Sequence, residues 1–138
     1  MTRYVVDASV VVKWFIPEIL SDYAIELLQP DNALLAPDLL VPEVCNTLWK
    51  KVRREELTLD DALECLADLS RMPLQLNAST EFIHDALRLS AMEGITAYDS
   101  LYLVVAANLD CPMVTADARL RNSIGNKALQ GRVLLLGS

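Results

Sequence analysis

Four acidic side chains stand next to strongly apolar segments of the chain. Asp7 follows directly on the run YVV, and Asp117 follows closely on MVT. Glu43 lies in the segment LVPEVCNTLW, and Asp99 lies in TAYDSLYLVVAANL. A carboxylate that ends a buried strand loses hydration free energy unless another group pairs with it. Asp7 in particular therefore needs an explanation beyond surface solubility.

A divalent cation would explain why a chain carries four such carboxylates. Like charges raise one another's pKa, and burial adds to this effect, so an acidic cluster needs neutralising. Ligand sets made only of oxygen atoms favour Mg²⁺ or Mn²⁺ over zinc. An ion held in this way lowers the pKa of a bound water and stabilises negative charge on phosphoryl oxygens. The four acids therefore predict metal-dependent phosphodiester hydrolysis.

Each acid also has a purely structural explanation. Acids in a first helical turn, such as Glu43 and Asp99, interact favourably with the helix dipole. Thr96 with Asp99 resembles a capping box, and Asp117 can cap the helix that follows it. Taken singly, Glu43 and Asp99 are better explained as caps. Four such coincidences are much less probable than one, so together they favour a site.

The elements that must position these acids alternate between strands and helices. Helix caps are predicted at Ser21, Thr58, Ser79 and Thr96, and Gly94 ends a helix. The predicted strands cover 3–7, 34–36, 74–76, 113–115 and 132–136, and the predicted helices cover 9–15, 21–28, 40–54, 58–70, 79–94, 96–109 and a short segment from 117. This alternation predicts a single α/β domain over residues 1–138, with a central parallel sheet and helices on both faces. In such a fold the carboxyl ends of strands and the N-termini of crossover helices share one edge, which brings the four acids together.

Three polar residues lie two or three positions from an acid. Ser9, Asn46 and Thr115 are predicted to hold metal-bound waters or to orient carboxylates. Ser9 is equally well explained as a helix N-cap. The single histidine, His84, lies inside a predicted helix and is expected at the surface or the core edge. Serine–histidine catalysis therefore has little support.

A basic run, KKVRR at 50–54, follows Glu43 on the same predicted helix. A solvated helix face is the favoured interpretation, and a local patch that contacts phosphates is the alternative. Trp14 and Trp49 are expected to pack in the core or an interface rather than to stack on bases. The net charge of −7 argues against a general nucleic-acid-binding protein.

The composition fits a globular protein that exposes some apolar residues at its surface. Hydrophobic residues make up 53% of the chain, which supports a sizeable core and leaves surface for a partner. Cys45, Cys65 and Cys111 are odd in number and form no metal-ligand pattern, so free thiols in a reducing cytoplasm are expected. No apolar run is long enough to span a bilayer.

Four segments together resemble the PIN domain family, specifically the VapC-type toxins of toxin–antitoxin pairs. They are VVDASVVVKWF, PEVCNTL, AYDSLYLVVA and VTADARL, and they span nearly the whole chain. AYDSLYLVVA, which is similar to the family's YDALYLALA-like segment, is the most specific of them. Leu120 stands where an aromatic residue often follows in the family, a departure that concerns packing rather than chemistry.

The resemblance implies an Mg²⁺- or Mn²⁺-dependent ribonuclease. It also implies a homodimer and inhibition by a VapB-type antitoxin. Carried over residue by residue, the catalytic and metal-site acids are Asp7, Glu43, Asp99 and Asp117. Asp7 and Asp99 are expected to bind the ion directly. Glu43 and Asp117 bind a second ion or act through water.

Three other functions compete with this interpretation. A haloacid-dehalogenase-like phosphatase with Asp7 as nucleophile requires an acid two residues later, where this chain has Ser9. A receiver-like phosphorylation switch requires paired acids after the first strand and a lysine after the last. A non-catalytic PIN scaffold that binds RNA or protein remains an alternative, although all four acids are present.

Overall fold

The chain alternates between strands and helices, and the computed structural model describes all of residues 1–138. The strands are β1 (Thr2–Val6), β2 (Asn32–Pro37), β3 (Leu74–Asn77), β4 (Met113–Thr115) and β5 (Val133–Leu135). The helices are α1 (Ala8–Phe15), α2 (Ser21–Glu26), α3 (Leu40–Arg53), α4 (Leu59–Leu69), α5 (Ile83–Glu93), α6 (Ala97–Asn108), α7 (Ala118–Ser123) and α8 (Lys127–Arg132), with a 3₁₀ turn at Ser79–Glu81. The predicted α/β alternation is confirmed.

The five strands form one parallel sheet in the order β3-β2-β1-β4-β5. The central strand β1 pairs with β2 on one side and β4 on the other, so Val5 lies opposite both Leu35 and Met113. Val5 and Val6 are completely buried. A continuous apolar run is typical of a parallel strand that is covered on both faces. The predicted parallel sheet is therefore confirmed.

The strand order reverses beside β1. The chain runs outward from β1 through β2 to β3, and then returns to place β4 on the other side of β1. Ligand sites in open α/β sheets lie at the carboxyl ends of the strands where this reversal occurs. Asp7 follows β1 and Thr115 ends β4. These two residues therefore mark the place where the fold itself favours a site.

Helix α6 is the most deeply buried helix. Every residue from Ser100 to Ala106 is buried, because the segment SLYLVVA presents apolar side chains around the helix. The buried hydroxyl of Ser100 lies 2.8 Å from the Ser90 hydroxyl on α5 and is thereby satisfied. Thr96 caps the helix, as predicted, by accepting from the Asp99 N–H at 3.1 Å. Neither α6 nor any other helix is long and apolar enough to cross a membrane.

The prediction that Ser21 caps α2 is wrong. The capping position belongs to Leu20, which has a left-handed backbone with φ of 70°. The Ser21 hydroxyl instead accepts from the N–H of Glu18 and donates to the carbonyl of Ile16. It therefore closes the turn before the helix rather than the helix itself.

The prediction that Ser79 caps α5 is also wrong. Ser79 begins the 3₁₀ turn, and α5 starts only at Ile83. The Ser79 hydroxyl donates to the Asp38 carboxylate at 2.5 Å and accepts from the N–H of Leu39. Its role is to tie this segment to the end of β2. The predicted end of the helix at Gly94 is confirmed, with φ of 71°.

Helix α8 was not predicted from the sequence. The side chain of Asn126 caps it by accepting from the Leu129 N–H at 3.0 Å. The segment KALQGR is only six residues long and contains Gly131, and glycine disfavours helix. The final strand consequently begins at Val133, one residue later than expected.

Candidate active site at the carboxyl edge of the sheet

Asp7 is held in place by two hydroxyl groups and one backbone N–H. Ser9 Oγ donates to Asp7 Oδ1 and Thr115 Oγ1 donates to Asp7 Oδ2, each at 2.5 Å. The Val10 N–H also donates to Oδ1, at 3.3 Å, so that Asp7 is the N-cap of α1. The donors come from α1 and from the neighbouring strand β4. The carboxylate therefore joins the two strands at the point where the sheet order reverses.

Burial dominates the electrostatics of Asp7. Loss of hydration raises the pKa of this carboxyl from 3.8 to about 6, although hydrogen bonds from Ser9, Thr115 and Val10 work in the opposite direction. The nearby charge of Glu43 raises the pKa further. No cation forms an ion pair with Asp7. A charge at this position is thus costly and uncompensated in the protein alone.

Glu43 lies in the first turn of α3 and contacts a residue that sequence reasoning missed. The hydroxyl of Tyr102, from α6, donates to Glu43 Oε1 at 2.5 Å. Burial raises the pKa of Glu43, the charge of Asp99 adds to this, and the hydrogen bond from Tyr102 opposes it. The Tyr102 side chain is itself buried, and burial raises the pKa of its hydroxyl. The tyrosine therefore remains a proton donor that orients Glu43.

The sequence carried a signal for Tyr102. It stands three residues after Asp99 on the same helix, and residues at this spacing share one helix face. A polar hydroxyl on that face, inside an otherwise apolar segment, requires a partner near Asp99. Its partner Glu43 lies 59 positions away in the sequence. Only the relative position of α3 and α6 in the fold identifies that pairing.

Asp99 and Asp117 complete the edge. Burial raises the pKa of Asp99, and the nearby charge of Asp117 raises it further, while Thr96 and Arg119 oppose the shift. Asp117 is the N-cap of α7, accepting from the Arg119 N–H at 3.0 Å. The exposed Arg119 guanidinium lies 3.6 Å from the Asp117 carboxylate. Asp117 therefore caps α7, as predicted, and its charge also acts on Asp99.

The structure brings the four predicted acids together, and we refer to Asp7, Glu43, Asp99 and Asp117 as the acidic cluster. Each successive pair interacts electrostatically, because each charge raises the pKa of a neighbour in the cluster. Carboxylate oxygens are the ligands that Mg²⁺ and Mn²⁺ prefer, so the donor chemistry fits such an ion. As the side chains lie, however, no three of them converge as a set that could hold a metal ion.

The other predicted site residues divide into two groups. Ser9 and Thr115 contact Asp7 directly, and the Thr115 hydroxyl also accepts from the Asp117 N–H at 3.0 Å. Ser9 in addition accepts from the Ala116 N–H at 3.0 Å, so it links β4 to α1. Asn46 is exposed and makes no hydrogen bond to an acid. His84 is exposed on α5, in keeping with its expected position.

The largest surface cavity does not contain the acidic cluster. It measures about 670 Å³, and its lining includes Trp14 and Phe15 from α1 and Cys65 from α4. None of the four acids contributes to it. The acidic cluster, which is partly exposed, therefore lies at the edge of the sheet outside this cavity.

Comparisons with known proteins agree with this geometry. The family described as "PIN domain" matches residues 4–123. Ribonuclease VapC3 from Pyrobaculum aerophilum is 32% identical over 120 residues, which cover 86% of this chain and 92% of that protein. Ribonuclease VapC1 from Mycobacterium tuberculosis is 32% identical over 131 residues, which cover 91% of this chain and 93% of that protein. The chain belongs to the PIN domain family, and its named relatives there are VapC ribonucleases, as its motifs predicted.

Solved structures share the fold. PAE2754 from Pyrobaculum aerophilum superposes with a TM-score of 0.69 at 24% identity, covering 98% of this chain and 91% of that one. VapC20 from Mycobacterium tuberculosis, described as a toxin that cleaves the sarcin–ricin loop, superposes with a TM-score of 0.66 at 11% identity, covering 87% of this chain and 94% of that one. These likenesses establish the architecture of a PIN-like α/β domain.

Asp7→Asn is expected to match or exceed the wild-type melting temperature at neutral pH in EDTA. The raised pKa means that the folded state holds a proton that the unfolded state releases. This contribution to stability is present at pH values below 3.8 and is lost as the pH rises through about 6. Asparagine avoids the loss, which corresponds to at most about 3 kcal/mol, and it remains a good N-cap.

Thermal melts of both proteins across this pH range test the expectation. The difference in melting temperature should grow in favour of the variant as the pH rises through about 6. Added Mn²⁺ should raise the melting temperature of the wild type more than that of the variant. A variant that melts well below the wild type at neutral pH would show that the hydrogen bonds from Ser9 and Thr115 outweigh the cost of burying the charge.

Tyr102→Phe is expected to impair the site while leaving the fold intact. The ring is retained, but the Glu43 carboxylate loses its only hydrogen-bond donor. Removing a group that orients a metal-site carboxylate typically lowers activity or metal affinity by about 10- to 100-fold. The matched control is Tyr98→Phe on the same helix, because the Tyr98 side chain is exposed and makes no hydrogen bond. Calorimetric titration with Mn²⁺ and an RNA cleavage assay should separate the two variants. Equal losses of metal affinity and cleavage in both variants would contradict an orienting role for Tyr102.

Proposed function

We propose that this protein is the toxin ribonuclease of a VapBC-type toxin–antitoxin pair, and that residues 1–138 act as one PIN-like ribonuclease domain. The observation that carries the proposal is the acidic cluster at the reversal point of the sheet. Three of its members, Asp7, Glu43 and Asp99, have no ion pair with any basic residue. Similarity to two VapC ribonucleases over most of their length supports RNA as the substrate.

We propose Mg²⁺ or Mn²⁺ as the cofactor. Asp7 and Asp99 would hold the ion directly, and Glu43 and Asp117 would bind a second ion or act through water. When bound, such an ion supplies a water of lowered pKa and stabilises the charge that develops on the phosphate oxygens. The raised pKa values of Asp7, Glu43 and Asp99, which are partly buried, support this proposal, because a cation at the cluster would relieve the cost of their charges.

The protein's own residues contribute position. Ser9 and Thr115 fix both oxygens of Asp7, and Tyr102 fixes Glu43. The cluster lies at an open edge outside the largest cavity, and an open edge suits a long polymer better than a small molecule. These two features together favour endonucleolytic cleavage of RNA over attack on a free phosphate ester.

The alternatives are now weaker. Membership of the PIN family removes the haloacid-dehalogenase-like phosphatase and the receiver-like switch. In addition, Ser9, which occupies the position where a phosphatase needs its second acid, is committed to hydrogen bonds with Asp7 and Ala116. A non-catalytic PIN scaffold remains distinguishable by experiment, because such a scaffold would bind RNA or protein without metal-dependent cleavage.

Cleavage of single-stranded or looped RNA in Mn²⁺ tests the proposal. Asp7→Asn and Asp99→Asn are each expected to lower the rate by about a hundredfold or more, as a loss of several kcal/mol of transition-state stabilisation requires. Asp61→Asn is the matched control, because Asp61 occupies on α4 the position that Asp99 occupies on α6, and its N–H donates to Thr58 in the same way. Excess EDTA should abolish cleavage. Full activity in EDTA or in either site variant would contradict the proposed mechanism.

We further propose a homodimer that acts in the cytoplasm and is inhibited by a VapB-type antitoxin. The three free cysteines fit a reducing compartment, and exposed apolar side chains such as Ile19 and Leu87 leave surface for association. A structural neighbour is VapBC2 from Rickettsia felis, solved with a promoter DNA fragment, with a TM-score of 0.62 at 13% identity, covering 97% of each chain.

The antitoxin is expected to present an arginine to the acidic cluster. A guanidinium forms bidentate pairs with carboxylates, and Asp7 and Asp99 have no ion-pair partner of their own. A structure of the complex checks this, and light scattering of the toxin alone checks the dimer. An inhibitory segment that contacts only surfaces remote from Asp7 and Asp99 would contradict the first expectation, and a monomer at micromolar concentration would contradict the second.

A further inference from the structure

One exposed strip of α3 leads away from the acidic cluster. It begins at Glu43 and continues through Asn46, Lys50, Arg53 and Arg54 at helical spacings of three and four residues, which place side chains on one side of a helix. Every residue of the strip after Glu43 is exposed. The strip extends about 15 Å from Glu43 to Arg53 at the usual rise of an α-helix. Its chemistry changes along this length from carboxylate through amide to cations.

The cations of this strip form no ion pair within the protein. Lys50, Arg53 and Arg54 take part in no ion pair. Their neighbour Lys51 differs, because it is largely buried and pairs with Glu18 at 3.0 Å. In a chain with a net charge of −7, three unpaired cations on one helix form a local exception to the overall charge.

An exposed tryptophan flanks the strip. Trp49 is 52% exposed, and the guanidinium of Arg53 lies over its ring, 4.7 Å from the centroid. Trp14 differs, because it packs against the core and donates its Nε1–H to the carbonyl of Ala24 at 2.8 Å. The prediction of a core or interface position is therefore confirmed for Trp14, which packs against the core; Trp49 lies outside the core, and its predicted place in an interface stays a prediction. An exposed ring beside unpaired cations is the combination by which proteins bind single-stranded nucleic acids.

We propose that this strip of α3 is a binding track for single-stranded RNA, which carries the strand to or from the acidic cluster. Lys50, Arg53 and Arg54 contact successive phosphates, and Trp49 stacks on a base. The inference rests on the proposed ribonuclease function and deepens it by locating the path of the substrate. Unpaired cations favour a polyanion over a protein partner, because a protein would need acids placed to match each of them.

RNA binding in EDTA tests the track without cleavage. The probe is a short fluorescein-labelled single-stranded RNA, and the readout is fluorescence anisotropy at several salt concentrations. Lys50→Gln combined with Arg53→Gln should weaken binding at least tenfold at low salt. Because each phosphate contact on a single strand contributes about 0.7 to the slope of log affinity against log salt, the slope should fall by about 1.4.

The matched control removes the same charge elsewhere. Arg71→Gln combined with Arg88→Gln also deletes two exposed arginine charges, each of which pairs with an acid on its own segment. This control should bind RNA as the wild type does. Equal weakening of both double variants would show that only the net charge matters and would overturn the track.

Tryptophan fluorescence supplies an independent readout. RNA should quench the emission of the wild type, because a base stacked on Trp49 quenches its fluorescence. The Trp49→Phe variant retains only Trp14, which is hydrogen-bonded and partly buried, and its emission should not respond to RNA. Undiminished quenching in the variant would contradict stacking at this position.

Cleavage assays separate failure of the track from failure of the enzyme. With Mn²⁺ present, the double variant at Lys50 and Arg53 should lose kcat/KM through a raised KM. If the wild type cleaves RNA and this variant does so with unchanged KM, the track is wrong and the ribonuclease stands. If the wild type does not cleave RNA at all, the proposed function itself fails. Normal RNA binding together with lost antitoxin binding in the variant would assign the strip to a protein partner and overturn the proposal.

Discussion

The site depends on one partly buried carboxylate at the place where the sheet reverses its order. Asp7 follows Val5 and Val6, which are completely buried, and its two oxygens accept from hydroxyls on α1 and β4. Two of the three donors to Asp7 also have a structural role. The hydroxyls of Ser9 and Thr115 accept hydrogen bonds from backbone N–H groups in the segment between β4 and α7. The same bonds therefore position the acid and hold two neighbouring segments together. Chemistry and architecture share these atoms.

The other three acids of the cluster are positioned by three different helices. Glu43 and Asp99 lie in first turns of helices, where the helix begins at the carboxyl edge of the sheet, and Asp117 caps a short helix after β4. Tyr102 links two of these helices, because it lies on α6 with Asp99 and donates a hydrogen bond to Glu43 on α3. The cluster is thus held from several elements, while its charges remain without cationic partners except at Asp117. This combination is costly for folding and useful for a cofactor.

Much of this was predictable from the sequence, for a physical reason. All strands of a parallel sheet have their carboxyl ends at one edge, so the alternation of elements was enough to predict that Asp7, Glu43, Asp99 and Asp117 lie together. The pairing of Tyr102 with Glu43 and the exposure of Trp49 were not predictable, because both depend on where α3 lies relative to its neighbours. Local patterns also misassigned Ser79, whose hydroxyl donates to Asp38, directly after β2, instead of capping a helix.

The burial of α6 has a consequence for how the site can move. Segments that are covered on all sides open only when the whole domain unfolds, whereas short exposed segments open at much lower free energy. Asp99 directly precedes the covered part of this helix, so its backbone is anchored to the core on one side. Asp117 caps α7, a helix of six residues in which only Leu120 is buried. The helices that carry the four carboxylates therefore differ in local stability. Fluctuations that rearrange the cluster are expected to begin at α7.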